Sequence, residues 1–490
     1  NSYDAGGNGL DFTIQEFPYF SFLLGDLHPH LMSIPFVLTG LTVITSLFMA
    51  NRFLSFRSLK TNLSSVLLIS LAIGSSGFIN FWDIGLLLLL TICLLVAGWV
   101  GVRSYSVRSL WRFGSPIGLI WIIGIVIFSP FYFGTAESQI QWPPIAPVEY
   151  GSRLIHFGSI WLILLIITAP VVLLLALKFL RVLRSKFRGV ATVSHNEENL
   201  IWRPAWLIAL MLVVIPWFLW AVTHIWFNER SEFSDIFSRL PVTGSLGLVT
   251  VIMVAVMLTR SRRGADDGAH YIMLLASVAI YLLFAAELFF VHDLFGNRMN
   301  TVFKFYYQAW IILSIIAGYS VYYVSREVLQ NRFGNIGKFL WFPSLLILFS
   351  IMSYYPLAST AARMVDSKAP FTLDGEAFLA VSQPDEYLVI NWIRENTDRE
   401  AIILESAITS CPENPMGCSD WTVAGRLSAF TGRPTVLGWI DHERQWRDQG
   451  HNLEERQNDI REIYTTKEVK TAELLLGKYH VEYVVISPRE

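Results

Sequence analysis

A segment dense in ionisable and aromatic side chains lies near the start of the chain. It reads Glu16-Phe-Pro-Tyr-Phe-Ser-Phe-Leu-Leu-Gly-Asp26-Leu-His28-Pro29-His30. Pro29 suits the first turn of a helix, because its missing N–H costs no hydrogen bond there, and the free N–H groups of such a turn attract an anion such as phosphate. A nearby carboxylate can act as a general base or bind a divalent metal such as Mg or Mn. We therefore predict catalytic roles for Glu16, Asp26, His28 and His30.

Two other interpretations of this segment remain open. It can be a re-entrant interfacial segment, in which the Phe and Tyr rings anchor a helical bundle and the histidines only cap it. The Asp-x-His-x-His spacing from Asp26 to His30 is also typical of metal ligands on an extended strand, although Pro29 interrupts a continuous strand. No dedicated metal ligand set is predicted.

A second group of polar residues follows a long apolar stretch in the second half of the chain. It consists of Glu287, His292, Asp293, Arg298, Asn300 and Lys304. An arginine can bind a lipid phosphate through two hydrogen bonds and a lysine can bind it as a point charge, so we predict a lipid-phosphate site at Arg298 and Lys304. Asp293 is predicted to contact substrate. The alternatives are ion pairs of these cations with Asp293 or Glu287, or snorkelling towards the membrane surface.

A third group lies in the charged C-terminal region. It contains aromatic and hydrogen-bonding side chains suited to a sugar, and we predict substrate binding by Arg426, Trp439, His442, Trp446 and Arg447. An ordinary solvated helix and turn explains the same residues equally well. Cys411 and Cys418 are close enough in sequence to form a disulfide, which remains open.

The composition indicates what kind of chain positions these groups. Apolar residues make up 53% and charged residues 16% of 490 residues, and the mean hydropathy is +0.47, whereas soluble proteins carry about 25% charge. Residues 1–356 hold 40 charged side chains, and residues 357–490 hold 36 in a much shorter length. The chain is therefore predicted to be a membrane protein with a water-soluble tail. It has no basic stripe of the kind that binds nucleic acid.

Apolar stretches of membrane-spanning length predict about ten transmembrane helices. They lie near 31–50, 63–80, 84–102, 116–133, 158–178, 205–226, 244–259, 270–291, 305–324 and 339–356. The fold class is then a polytopic α-helical membrane protein. Residues 1–30 form an interfacial extracytoplasmic segment, 31–356 the transmembrane helical domain, and 357–490 a soluble extracytoplasmic α/β domain.

The distribution of Lys and Arg between alternate connections predicts the orientation. One set of connections holds 18 of these residues and the other holds five. Since cytoplasmic loops retain positive charge, the first segment and the tail are predicted to lie outside the cytoplasm, with the body in the plasma membrane.

The tail pattern predicts alternating helices and strands, as in an α/β layer. Helices are expected at 384–396, 453–465 and 468–476, and strands at 401–405, 435–439 and 481–486, the last of them buried.

Several strings resemble motifs of a known family. The run Ile14-Gln-Glu-Phe-Pro-Tyr-Phe-Ser-Phe-Leu-Leu-Gly-Asp-Leu-His-Pro-His30 resembles the signature of the YYY family, polytopic bacterial and archaeal membrane proteins of poorly defined function. The strings 297–307, 431–439 and 442–447 are similar to later motifs of that family. The Tyr-Tyr-Tyr run that names it is absent here.

The YYY family in turn is similar to the GT-C glycosyltransferases, multi-span enzymes that use polyprenyl-phosphate sugars outside the cytoplasm. This resemblance implies such a sugar donor as the substrate, beside the lipid bilayer itself. The acidic first outer loop of GT-C enzymes has no counterpart here, so the chain is expected to be the C-terminal part of a longer protein. The alternatives are a transporter or lipid flippase, and a membrane scaffold without catalysis.

Overall fold

The computed structural model describes residues 13–25, 27–49, 63–101, 107–134, 142–187, 195–227, 233–261, 267–293, 295–330, 334–366, 372–406, 424–446 and 452–486. Over these ranges the chain is mostly helical. It divides into two compact units, Asn1–Pro356 and Leu357–Glu490, each with its own contacts.

The first unit is built from helices and one small sheet. Its elements are α1 (Pro18–Leu24), α2 (Pro29–Met32), α3 (Ile34–Met49), α4 (Leu63–Ile79), α5 (Phe81–Gly101), α6 (Val107–Ile127), α7 (Ser129–Gly134), β1 (Ile145–Pro147), α8 (Leu154–Phe187), α9 (His195–Phe227), α10 (Phe233–Ser261), α11 (Asp267–Ala286), β2 (Phe289–Val291), α12 (Met299–Leu329) and α13 (Gly334–Asp366).

Six of the described helices are long and apolar enough to cross a membrane. Their apolar segments are Leu154–Lys178, Ala205–Trp226, Ile236–Thr259, Gly268–Ala286, Met299–Leu329 and Gly334–Val365, and they fall on the last six predicted spans. The first four predicted spans fall on shorter described apolar segments: Ile34–Ser46, Leu63–Ile79, Phe81–Cys93 and Gly114–Ile127. A multi-pass membrane protein is therefore confirmed, while the number ten stays a prediction.

Two predicted span boundaries differ from the structure. Pro29 begins only the short helix α2, which ends at Met32, and α3 starts at Ile34. Pro35 has no N–H to donate, so a helix running on from Pro29 lacks a hydrogen bond at this position. At the other boundary, the predicted span 270–291 ends at Ala286, because the next residues form a turn and the strand β2.

Helix α11 lies at the centre of the first unit. It packs against α10 and α12. Of its most apolar 18-residue segment, 89% is buried. By contrast, none of the corresponding window of α13 is buried. Apolar side chains on an exposed span are suited to lipid, so α13 is placed at the periphery of the bundle.

A two-stranded antiparallel sheet joins the loop before α8 to the segment between α11 and α12. In its register, Ile145 of β1 faces Val291 of β2 and Pro147 faces Phe289. Trp142 and Pro143, just before β1, are joined by a cis peptide bond. The sheet brings residues 142–153 next to the end of α11 and the start of α12.

The second unit contains small helices around a short parallel sheet. Its elements are α14 (Ala377–Ser382), α15 (Pro384–Asn396), β3 (Ile402–Leu404), α16 (Arg426–Thr431), α17 (Ile440–Trp446), α18 (Leu453–Thr465), α19 (Val469–Lys478) and β4 (Val481–Val484). β3 pairs with β4 in parallel.

Two predicted tail strands need correction. Residues 435–439 do not form a strand, since only Thr435 makes a bridge to Ile403. Gly438 and the start of α17 at Ile440 end the extended run there. The strand β4 was expected to be buried, but its side chains alternate between half-buried and exposed, as in a strand with one packed face.

Candidate functional site

Five polar side chains from distant parts of the first unit come together. They are Glu16, His30, Asp83, Lys304 and Gln308, which we call the polar cluster. Glu16 pairs with His30, and Gln308 donates to Asp83 across 225 residues of sequence. The charge of Lys304 acts on both Glu16 and Asp83. The N-terminal turns of α5 and α12 and the short helix α2 hold the cluster in place.

Glu16 and His30 form a carboxylate–histidine pair. His30 Nε2 lies 3.1 Å from Glu16 Oε2, which also accepts a 2.8 Å hydrogen bond from Ser21 Oγ. The imidazole packs edge-on against the Phe303 and Tyr307 rings, with ring centroids 4.6 and 5.0 Å away. This packing fixes the ring plane, so Glu16 orients the imidazole as the acid of a catalytic triad does.

The environment of the pair favours a neutral imidazole beside an ionised carboxylate. Burial lowers the pKa of His30, and the hydrogen bond that its Nε2–H donates to Glu16 offsets only part of this effect. Burial by itself would raise the pKa of Glu16, but the hydrogen bonds from His30 and Ser21 outweigh it and bring that pKa below its ordinary value. His30 Nδ1 is buried and has no hydrogen-bond partner within the described part of the chain.

Asp83 and Gln308 are two members of the cluster that sequence reasoning did not select. Asp83 Oδ1 accepts a 2.8 Å hydrogen bond from Asn80 Nδ2 and a second one from Gln308 Nε2. Asp83 Oδ2 and Gln308 Oε1 are buried with no partner among the described residues. The sequence signal was an acid in the first turn of an apolar helix, which is costly unless it has a role.

Lys304 is the cation of the cluster. Its side chain is half-buried in α12, and its Nζ lies 4.2 Å from the centroid of the Phe303 ring. Over the ranges given above, no carboxylate oxygen lies within the 4.0 Å of an ion pair with Lys304. The aromatic face and the two carboxylates attract the Lys304 ammonium. Its three N–H donors nevertheless remain available to an anionic group.

Arg298 lies one and a half turns before Lys304 and has a different environment. It forms an ion pair with Glu287 at 3.2 Å, and the two side chains are 4% and 1% exposed. Glu287 also accepts hydrogen bonds from Ser152 N and Oγ at 2.8 and 2.6 Å and from Tyr306 OH at 2.7 Å. The alternative of an ion pair with Glu287, left open by the sequence, is the arrangement in the structure.

Charge compensation keeps Glu287 ionised. Burial would raise the pKa of this carboxyl, but the Arg298 guanidinium and the hydrogen bonds from Ser152 hold it below its ordinary value. Arg239 joins the same region. It donates to the backbone oxygens of Glu287 and Val148 and lies 4.4 Å from the Trp220 ring. These contacts fasten the sheet β1–β2 to the helix ends.

The other predicted residues of the first unit lie around these two groups. His28 is half-buried, with its ring centroid 5.4 Å from that of His30. Asp293 accepts hydrogen bonds from Asn300 Nδ2 at 2.6 Å and from Phe295 N, two residues on, at 3.0 Å, the second of which closes an Asx turn, and burial raises its pKa. Asp26 lies outside the described residues.

The predicted tail residues occupy two places in the second unit. Arg426 forms ion pairs with Glu386 and with the buried Glu405. Trp439 and His442 meet edge to face with ring centroids 5.0 Å apart. Trp446 lies in α17, whereas Arg447, Cys411 and Cys418 lie outside the described residues.

No group of three or more His, Cys, Asp or Glu side chains that suits a metal ion is found within the described ranges. The polar cluster supplies carboxylates beside a lysine ammonium, which repels a cation. The described donor set therefore does not fit the divalent metal that the carboxylates of the N-terminal segment allow; Asp26 lies outside the described residues.

Comparison with known proteins gives one match. No curated protein and no solved structure matches the chain. A family model described as an uncharacterized membrane protein, DUF2298, matches residues 8–313. That range is more than half of the chain and includes every member of the polar cluster. The chain therefore belongs to DUF2298, a family of uncharacterized membrane proteins.

Proposed function

We propose that the protein is a GT-C-like glycosyltransferase of the plasma membrane, which takes a sugar from a polyprenyl-phosphate donor on the extracytoplasmic side. One observation carries the proposal. Lys304, on the second turn of a long apolar helix, has its ammonium beside the Glu16–His30 pair and forms no ion pair within the described residues. A cation for a phosphate and a base for a hydroxyl are the two groups that glycosyl transfer from a lipid phosphate requires.

Lys304 is assigned to the phosphate in preference to Arg298. The guanidinium of Arg298 is already neutralised by Glu287 and almost fully buried, so binding a phosphate would leave Glu287 without its counter-ion. The role of Arg298 in the proposal is to fix the first turn of α12, from which Lys304 projects. The two residues thus divide the predicted lipid-phosphate site into a binding group and a supporting group.

The proposed reaction uses the Glu16–His30 pair as the base. His30 Nδ1 accepts the proton of an acceptor hydroxyl, with the His28 ring nearby, and we assign a supporting catalytic role to Asp26, which is close to both in sequence. The hydroxyl oxygen forms a bond to the anomeric carbon of the sugar, while the bond from that carbon to the phosphate oxygen breaks. The electron pair stays on the released polyprenyl phosphate, whose charge Lys304 stabilises. No step requires a metal ion.

The side of the membrane follows from the charge distribution. With 18 and five Lys and Arg residues in the two sets of connections, the positive-inside rule supports an extracytoplasmic polar cluster and tail. In the tail, Trp439 offers an aromatic face to a sugar and His442 offers a hydrogen-bonding ring, and we assign recognition of the acceptor to these two residues. Arg426 is assigned a supporting role. Trp446 and Arg447, which follow His442 in sequence, are assigned to the same substrate contact. Asp293 is assigned a substrate contact on the first unit.

The test is a direct binding measurement on the purified full chain in lipid nanodiscs. Undecaprenyl phosphate is titrated against the wild type, against Lys304→Met, and against the control Lys338→Met, which removes one positive charge from α13. We expect saturable binding that Lys304→Met weakens at least tenfold and Lys338→Met leaves within twofold. Equal loss in both variants indicates non-specific charge attraction. No saturable binding by the wild type overturns the proposal in favour of a transporter or a scaffold.

A further inference from the structure

Three buried hydrogen-bond acceptors of the polar cluster have no donor. They are His30 Nδ1, Asp83 Oδ2 and Gln308 Oε1, and none has a partner within the described residues. The three side chains are 2%, 0% and 4% exposed. A buried polar atom without a partner costs about 1–3 kcal/mol. Three of them in a cluster whose His30 and Asp83 also feel the charge of Lys304 are therefore expected to serve a ligand.

Neighbouring groups fix the direction of each free acceptor. Asp83 Oδ1 is occupied by Asn80 and Gln308, so Oδ2 is the atom left over. Because Gln308 donates through Nε2, its amide orientation is set and Oε1 is also left over. His30 uses Nε2 for Glu16, which leaves Nδ1.

The chemistry of the cluster selects its ligand. Free acceptors require a molecule that donates several hydrogen bonds, and the Lys304 ammonium requires an anionic oxygen on the same molecule. A bare phosphate lacks the donors, and a metal cation is repelled by Lys304. A glycosyl phosphate has both features. Lys304 and Gln308 are four residues apart on α12, which is about 6 Å along the helix axis and comparable to the length of one hexose ring.

We propose that Asp83 and Gln308 form a subsite that accepts hydrogen bonds from the sugar hydroxyls of a glycosyl phosphate whose phosphate binds Lys304. This inference rests on the proposed function and extends it, because it assigns the sugar to residues of the membrane body. It also gives Asn80 a positioning role, since its side-chain amide occupies Asp83 Oδ1 and leaves Oδ2 for the ligand.

The experiment separates the phosphate from the sugar. Undecaprenyl phosphate and its glucose, mannose and arabinose conjugates are titrated against the full chain in nanodiscs. We expect at least one conjugate to bind about tenfold or more tightly than the bare phosphate, as two added hydrogen bonds allow. Gln308→Met and Asp83→Asn should reduce that advantage to threefold or less without weakening the binding of the bare phosphate, which Asp83→Asn can only favour because it removes a nearby negative charge. Lys304→Met should weaken all ligands.

The control is Gln330→Met at the other, exposed end of α12, which should keep the sugar-dependent gain. Should the two variants not fold, deoxy versions of the preferred conjugate on the wild type provide the same test, since one or two missing hydroxyls should each cost affinity. Equal affinity for the bare phosphate and every conjugate overturns the subsite and leaves the phosphate site intact. A sugar-dependent gain that survives Gln308→Met and Asp83→Asn overturns it as well. No binding of any lipid overturns the proposed function itself.

Discussion

Two cations in the first two turns of α12 differ in what surrounds them, and this difference decides their roles. Arg298 forms an ion pair with Glu287, and Ser152 and Tyr306 donate hydrogen bonds to the same Glu287 carboxylate. Lys304 lies against an aromatic ring, and its cluster holds buried acceptors that have no donor among the described residues. A buried group with its partners in place stabilises the fold, whereas one without them is available to a ligand.

Removing Arg298 should destabilise the protein. Arg298→Met leaves the Glu287 carboxylate buried without its counter-ion, and breaking one side of such a pair costs about 3–5 kcal/mol. The double variant Arg298→Met/Glu287→Gln should recover part of the loss, because no buried charge remains. Thermal unfolding in detergent measures both. Arg326→Met, exposed in the last turn of the same helix, should change stability little, and an equally small loss for Arg298→Met contradicts the network.

The Glu16–His30 pair predicts a dependence of stability on pH. His30 has a pKa below its ordinary 6.5 in the folded protein. At a pH between its folded pKa and 6.5, the unfolded chain therefore binds a proton that the folded chain does not. Stability therefore falls as pH decreases below about 6.5. Glu16 has a folded pKa below 4.5, so its contribution to stability is lost only at lower pH, below about 4.5. The other charges that face His30 are His28 and Lys304.

The measurement compares melting temperatures at pH 7.5 and 5.5 for the wild type and His30→Gln. The wild type should lose more stability on acidification than the variant, because the variant lacks the titrating group. Equal pH dependence in the two proteins shows that His30 is not the group responsible.

At the scale of elements, local pattern predicted much of the fold. The tail helices 384–396 and 453–465 have the predicted bounds, because Pro384 at the first position and amphipathic spacing are local signals. The break between α2 and α3 and the turn after Ala286 were not predicted. Both lie in apolar sequence where hydropathy is uniform, so a window of 20 residues cannot resolve them.

The polar cluster shows why a site is harder to predict than its elements. Glu16, His30 and Lys304 were selected from local composition, and the cluster contains all three. Asp83 and Gln308 were not selected, because the hydrogen bond that joins them spans 225 residues and neither residue has a local motif. Pairings of this kind depend on how the helices pack, which periodicity does not encode.

The contact between α4 and α6 gives a prediction at this scale. A Cβ atom at Gly124 of α6 would lie 2.7 Å from Ser70 O of α4, whereas one at Gly118 meets no atom within 4 Å. Gly124→Ala should therefore destabilise the bundle by about 1–3 kcal/mol through overpacking. Gly118→Ala is the matched control, and it should be neutral or slightly stabilising, as expected for alanine in a helix.

Thermal unfolding in the same detergent compares the two variants. If Gly124→Ala is as stable as Gly118→Ala, the helices α4 and α6 do not pack as closely as the structure indicates.

For the whole molecule, the main question is how many helices cross the membrane. The helices α4, α5 and α6 contain 17, 21 and 21 residues, and about 17–25 apolar residues span the hydrocarbon core. They are therefore long enough to cross, although the described apolar segments of α5 and α6 are shorter, at Phe81–Cys93 and Gly114–Ile127. Connections rich in Lys and Arg alternate with connections poor in them, 18 residues against five. The positive-inside rule gives this alternation only when these helices also cross the membrane.

Reporter fusions at the connections test this topology. Alkaline phosphatase, active only outside the cytoplasm, is fused in five separate proteins after Ser55, Asn80, Ser104, Tyr150 or Glu490, with green fluorescent protein as the reciprocal reporter. Ten spans with an extracytoplasmic tail require phosphatase activity after Asn80, Tyr150 and Glu490 and fluorescence after Ser55 and Ser104. If the four shorter apolar helices do not cross, the first four fusions all report the same side. The polar cluster then lacks the membrane environment on which the lipid-phosphate assignment of Lys304 depends, because its member Asp83 lies in the first turn of α5.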